Sequence, residues 1–101
     1  MAKIIRGTTP TLKYTFSTIS VADITAAYLT IKQAGEVIIE KNISTATIGD
    51  FDISWTLTQA ETLMLVDNIT VMCNWLLSDG TRGATARTKI AIEVNDKEEV
   101  I

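Results

Sequence analysis

The sequence predicts an all-β protein: an immunoglobulin-like, two-sheet antiparallel β-sandwich with one short helix at about residues 58–66, in a single domain spanning residues 1–101. Three observations lead there. Apolar and polar residues alternate with a period of two in segment after segment, the pattern of strands with one face buried and one face wet. Sixteen threonines favour a pleated sheet, because branching at Cβ suits it better than a helix. No segment supplies the several crossover helices that a parallel sheet requires. Counting segments gives about six or seven strands, with a small, partly open barrel as the alternative architecture.

The elements follow in order. After MAKIIRG, where Ile4 and Ile5 suit a short edge strand, TPTLKYTF places Leu12, Tyr14 and Phe16 on one face and Lys13 and Thr15 on the other. Pro10 precedes that strand, where its missing N–H costs no ladder bond. ITAAYLTIKQ and EVIIEK form a hairpin across a QAG turn, with Val37 and Ile39 expected inward and Ile38 outward. In DFDISWTL, Phe51, Ile53, Trp55 and Leu57 share one face. The period then changes. Thr58 stands three residues before Glu61 in a capping-box arrangement, so a helix begins there, with Leu63, Leu65 and Val66 expected to pack inward. A second hairpin pairs ITVMCNWLL with GATARTKIAIEV around Ser78–Asp79–Gly80. Trp55 and Trp75 lie on different strands and are expected to meet between the sheets.

Composition narrows the function. A chain of 101 residues holds one modest core, burying roughly 65% of the surface it would expose unfolded. The net charge is −3 and the nine basic residues are scattered, so nucleic acid is not an expected partner. No apolar run approaches the roughly 20 residues of a membrane span, and MAKIIRG lacks a signal-peptide core, so neither membrane insertion nor secretion by signal peptide is expected.

Chemistry is scarce. Histidine is absent, which removes the commonest neutral-pH base and imidazole metal ligand, together with any Ser–His–Asp or Cys–His device. Cys73 sits in an alternating apolar run and reads as packing. Asp50 and Asp52 share a strand face, but two carboxylates fall well short of the six to eight oxygens calcium takes. SDGTRGA lacks both phosphate-loop patterns and reads as a turn, leaving Arg82 and Arg87 as weak candidates for an acidic surface. No catalytic, cofactor-binding or metal residues are assigned, and no cofactor is expected. The unexplained positions are outward-facing: Met72, Leu76, Ile38 and Tyr28, with Asn74 among them, form the candidate interface.

Four stretches resemble a known family. RGTTPTLKYTF (Arg6, Gly7, Thr9, Pro10, Leu12, Tyr14, Phe16), LTIKQAGEVIIEK, LTQAETL and WLLSDGT are similar to parts of the N-terminal domain of Siphoviridae-type baseplate upper proteins and the small phage and prophage proteins related to it. The resemblance implies a β-sandwich that docks on other virion proteins, without catalytic residues. It implies a tail or baseplate structural or adaptor protein, partnered by other phage structural proteins and by itself. It further implies synthesis in the bacterial cytoplasm and a final place in the virion. The alternative expectation is a small sandwich module that binds carbohydrate or another soluble ligand, for which an aromatic ring beside amides in a concave patch would be the mark.

Overall fold

The computed structural model describes residues 3–101. Among them nine strands and one helix follow one another: β1 (Lys3–Ile5), β2 (Thr11–Thr15), β3 (Ile24–Gln33), β4 (Glu36–Asn42), β5 (Thr47–Ile48), β6 (Asp52–Thr56), α1 (Gln59–Leu63), β7 (Asn68–Leu77), β8 (Arg82–Ala84) and β9 (Thr88–Glu93). They build a sandwich of a six-stranded sheet, ordered β1-β9-β7-β3-β4 with β8 also on β7, and a three-stranded sheet ordered β2-β6-β5. Every pairing is antiparallel except β1 with β9, so the larger sheet is mixed.

Odd–even sorting decides the core. Ala27, Leu29 and Ile31 of β3 and Ile69, Val71 and Cys73 of β7 pack in one core with Ile53 and Trp55 of the smaller sheet and with Leu57 just beyond β6, and all are buried. Each large apolar side chain so buried contributes roughly 1.5–3 kcal/mol relative to exposure. Ile24 and Ala27 are both buried although three apart, because a register shift between Ile24 and Ala26 resets the alternation. The buried Trp55 indole donates to the Asn42 carbonyl at 2.9 Å, so its one polar atom ties the two sheets together.

The period change after Leu57 is a strand-to-helix junction. Thr58 Oγ1 accepts the Glu61 N–H at 3.1 Å, and Glu61 Oε1 accepts the Thr58 N–H at 2.8 Å, a complete capping box. The helix is shorter than expected and ends at Leu63. Tight bonds from Met64 N–H to the Glu61 carbonyl and from Leu65 N–H to the Thr62 carbonyl close it, and Asp67 takes a left-handed φ of 57° before β7. Leu65 is buried as expected, Leu63 is half-buried and Val66 is exposed. The Gln33 amide fastens the crossing segment, donating to the Met64 carbonyl at 3.3 Å and accepting the Val66 N–H at 2.7 Å. At the helix's other side Arg6 donates to the Leu63 carbonyl and to Glu98, both at 2.6 Å, strapping both ends of the chain to α1.

Three further expectations are corrected. Phe51 precedes its strand and is 70% exposed. Trp55 and Trp75 do not stack on each other: Trp55 meets Tyr14 edge-on at 6.2 Å, and Trp75 meets Phe16 at 5.0 Å and 82°. The long GATARTKIAIEV segment is two strands. β8 pairs with Asn74–Leu76 and β9 with Asn68–Val71 on the same edge of β7. Between them Thr85 bonds Cys73 twice, N–H to carbonyl at 2.9 Å and Oγ1 from the Cys73 N–H at 3.0 Å. That break carries Arg87 away from the ladder.

Candidate ligand-binding site

The outward face of the larger sheet holds the side chains that the core does not use. Across β3 and β7, Tyr28 lies opposite Asn74, Ala26 opposite Leu76 and Thr30 opposite Met72. The β7–β8 hairpin then places Arg82 opposite Leu76, with the turn closed by Gly80 at φ 90°. Tyr28, Asn74 and Leu76 thus meet Ala26, Trp75 and Arg82 around a shallow cleft of about 280 Å³. Its lining is mostly apolar, and Tyr28 is 45% exposed. The Arg82 guanidinium donates to Asn74 Oδ1 at 3.2 Å, which fixes the amide and leaves its NH₂ group available as a donor.

The expected interface residues therefore divide. Tyr28, Asn74 and Leu76 come together in the cleft, while Met72 lies one cross-strand row away and is half-buried. Ile38 is elsewhere, and its orientation is corrected. A register shift between Ile31 and Lys32 pairs Ile39 with Ile31 but Val37 with Lys32. Val37 therefore turns outward, 52% exposed, and Ile38 packs half-buried against the core. A bulge inverts the two assignments because one extra residue exchanges the faces of a strand. Sequence reasoning did not place Ala26, Trp75 and Arg82 with Tyr28. Counting outward from the Ser78–Gly80 turn would have set Arg82 opposite Leu76.

The remaining chemical candidates are structural. Cys73 is buried, and burial pushes its thiol up to about 11. Burial, with a smaller contribution from Cys73, pushes the Tyr14 phenol up to about 12. Asp52 is paired with Lys13 at 3.5 Å, and Asp50 stands exposed beside it. Among the described residues no group of three or more His, Cys, Asp or Glu side chains is placed to hold a metal ion. The cleft lining brings together a phenol, an amide and a guanidinium, and no nucleophile stands beside a base in it. No helix among the described residues is long and apolar enough to cross a membrane.

The sequence matches no family model. It matches no curated protein either. Among solved structures the chain is similar to CopC from Methylosinus trichosporium OB3b, with 16% identity and a TM-score of 0.62 over 96% of this chain and 89% of CopC. That likeness establishes the sandwich fold. It overturns the baseplate resemblance, because the structure matched is not a phage tail or baseplate component. The four motifs that carried the resemblance turn out to be local folding devices. Arg6 clamps α1, Gly7 takes a φ of 83°, the Pro10 carbonyl accepts the Leu57 N–H, and LTQAETL is a capping box. The tail or baseplate adaptor role falls with it, as do the phage and self-association partners and the location as a non-secreted, cytoplasmically made virion part.

Proposed function

We propose that the chain is a small β-sandwich binding module that takes a soluble ligand of about one sugar ring in the Tyr28–Asn74–Arg82 cleft. The observation that carries the reading is the cross-strand pairing of an exposed phenol ring with an amide that an arginine holds in place. A ring face offers flat apolar area with a negative quadrupole, to which the C–H side of a sugar can bind. The Asn74 amide and the Arg82 guanidinium supply directional donors for hydroxyl oxygens at its rim. Ligand pockets usually run to roughly 300–1,000 Å³, so a cleft of about 280 Å³ suits a single ring and not an extended organic cofactor. The sheet behind it is rigid: β3 and β7 are the two longest strands, paired along nearly their whole length.

Titration of the ¹⁵N-labelled protein with a panel of neutral mono- and oligosaccharides tests this. Saturable shifts are expected at Tyr28, Asn74 and Arg82, lost in Tyr28→Ala and weakened roughly tenfold in Asn74→Ala. Absence of saturable shifts at these residues across the panel, or binding that survives Tyr28→Ala, refutes the assignment.

A further inference from the structure

Five of the nine basic side chains have acidic partners: Lys3 with Glu93, Arg6 with Glu98, Lys13 with Asp52, Lys41 with Glu61 and Lys97 with Glu99. Among the described residues the other four, Lys32, Arg82, Arg87 and Lys89, form no ion pair. Three of these four line one depression of about 220 Å³, the end of the larger sheet where the β3–β4 turn stands beside the start of β7. In a chain of net charge −3, three cations collected without a carboxylate repel one another and are costly to hold together.

The ladder explains how they converge. Lys32 of β3 pairs with Thr70 of β7, and Thr70 pairs with Lys89 of β9. The two lysines therefore flank the threonine on the outward face, with backbones about 10 Å apart. Lys32, Lys89 and Thr70 all line the depression, and the threonine hydroxyl adds a donor to the two ammonium groups. Arg87, two residues before Lys89, joins the lining from the same side as β9, at the strand break of residues 85–87. The neighbouring carboxylates in sequence, Glu36 and Asp67, lie outside the lining.

We infer that this depression is a binding site for a tetrahedral oxyanion, the phosphate or sulfate group of a free ion or an ester. Three cations set on both sides of Thr70 suit an anion with oxygens on every side better than a planar carboxylate, which presents one edge. The site stands apart from the ring cleft, four residues or about 13 Å along β7, and does not depend on it.

The test is a ¹⁵N titration of the full chain with sodium phosphate, sodium sulfate and, at matched ionic strength, sodium chloride. Saturable shifts are expected at Lys32, Thr70, Arg87 and Lys89 with half-saturation on the order of 1–10 mM for phosphate or sulfate, and not for chloride. Whichever anion binds more tightly identifies the ester class. Lys32→Gln with Lys89→Gln raises the half-saturation roughly tenfold, while Tyr28→Ala leaves it unchanged, which separates this site from the ring cleft. Should the double variant lose its dispersed spectrum, Arg87→Gln, on an exposed loop, replaces it with an expected weakening of roughly threefold. Equal response to chloride, or unchanged binding in the lysine double variant, overturns the inference.

Discussion

A methyl group at position 83 would lie 2.5 Å from Trp75 Cε2 and 2.6 Å from Cζ2 and Nε1. Ordinary carbon contacts are about 3.5–4.0 Å, so Gly83→Ala must drive the indole off its seat by about 1 Å. The ring is not free to go. It meets Phe16 edge-on at 5.0 Å, and Phe16 is buried. Overpacking of this kind costs about 1–3 kcal/mol, and loosening the aromatic pair adds about 0.5–1.5 kcal/mol. Together they span about 1.5–4.5 kcal/mol, and the centre of that range, about 3 kcal/mol, is the predicted loss. Gly49→Ala is the internal control. A methyl there would lie 2.5 Å from Asp52 Oδ1, but that is the tip of a rotatable side chain, and the predicted cost is under about 1 kcal/mol. Urea denaturation followed by tryptophan fluorescence reads both, with a midpoint lowered by roughly 1–2 M for Gly83→Ala. The near-ultraviolet dichroism of Trp75 should change as well. Because Trp75 borders the ring cleft, ligand binding should weaken in the same variant. Equal midpoints for Gly83→Ala and the parent, with an unchanged aromatic spectrum, would show that the indole is not pinned and that the reasoning is wrong.

The QAG turn carries Ala34 at φ 52° followed by Gly35 at φ 80°, two left-handed residues of which only one is glycine. Ala34→Asn should therefore stabilise the protein by about 1 kcal/mol, raising Tm by about 4–8 °C in a calorimetric scan. Burial pushes the Glu61 carboxyl up, but the Lys41 ammonium at 2.9 Å and the Thr58 N–H outweigh it and hold the group below its ordinary value of 4.5. The parent's advantage over Glu61→Gln, about 1 kcal/mol or less, is full above pH 4.5 and fades as pH falls through the lowered value, as paired denaturation curves from pH 7 to 3 will show. With its thiol buried and raised to about 11, Cys73 should react with a thiol reagent at pH 8 only as fast as the protein opens. Labelling of the native state at the rate of a free thiol would contradict that burial.

Where alternation ran unbroken, the sequence placed side chains correctly. Ala27, Leu29 and Ile31, then Ile69, Val71 and Cys73, are inside, and Tyr28, Met72, Asn74 and Leu76 face out. The capping box of Thr58 and Glu61 was legible because it is a contact between near neighbours. Failures cluster where the ladder slips. Ile38 and Val37 exchange faces at a bulge that no residue type announces, and the break at 85–87 hides inside a run that alternates well enough for one strand. The ring cleft was half legible, since Tyr28 and Asn74 were singled out without their pairing. The lysine cleft was not, because Lys32 and Lys89 are far apart in sequence and only the order β9-β7-β3 makes them neighbours. The family resemblance failed for a different reason. Short motifs made of turns and caps recur wherever sandwiches need them, and carry little ancestry.

The pairing of β1 with β9 bears on how the protein is made. A ribosome delivers Lys3–Ile5 before the other eight strands, yet their hydrogen-bonding partner Thr88–Glu93 follows only after all of those between them have been synthesised. Until then Ile4, buried in the finished protein, has no place to go and remains a sticky site on the nascent chain. Closure of the larger sheet at β1 must wait for β9, the last of the nine strands, so folding of this small domain should be slow for its size, on the millisecond-to-second scale of long-range β topologies.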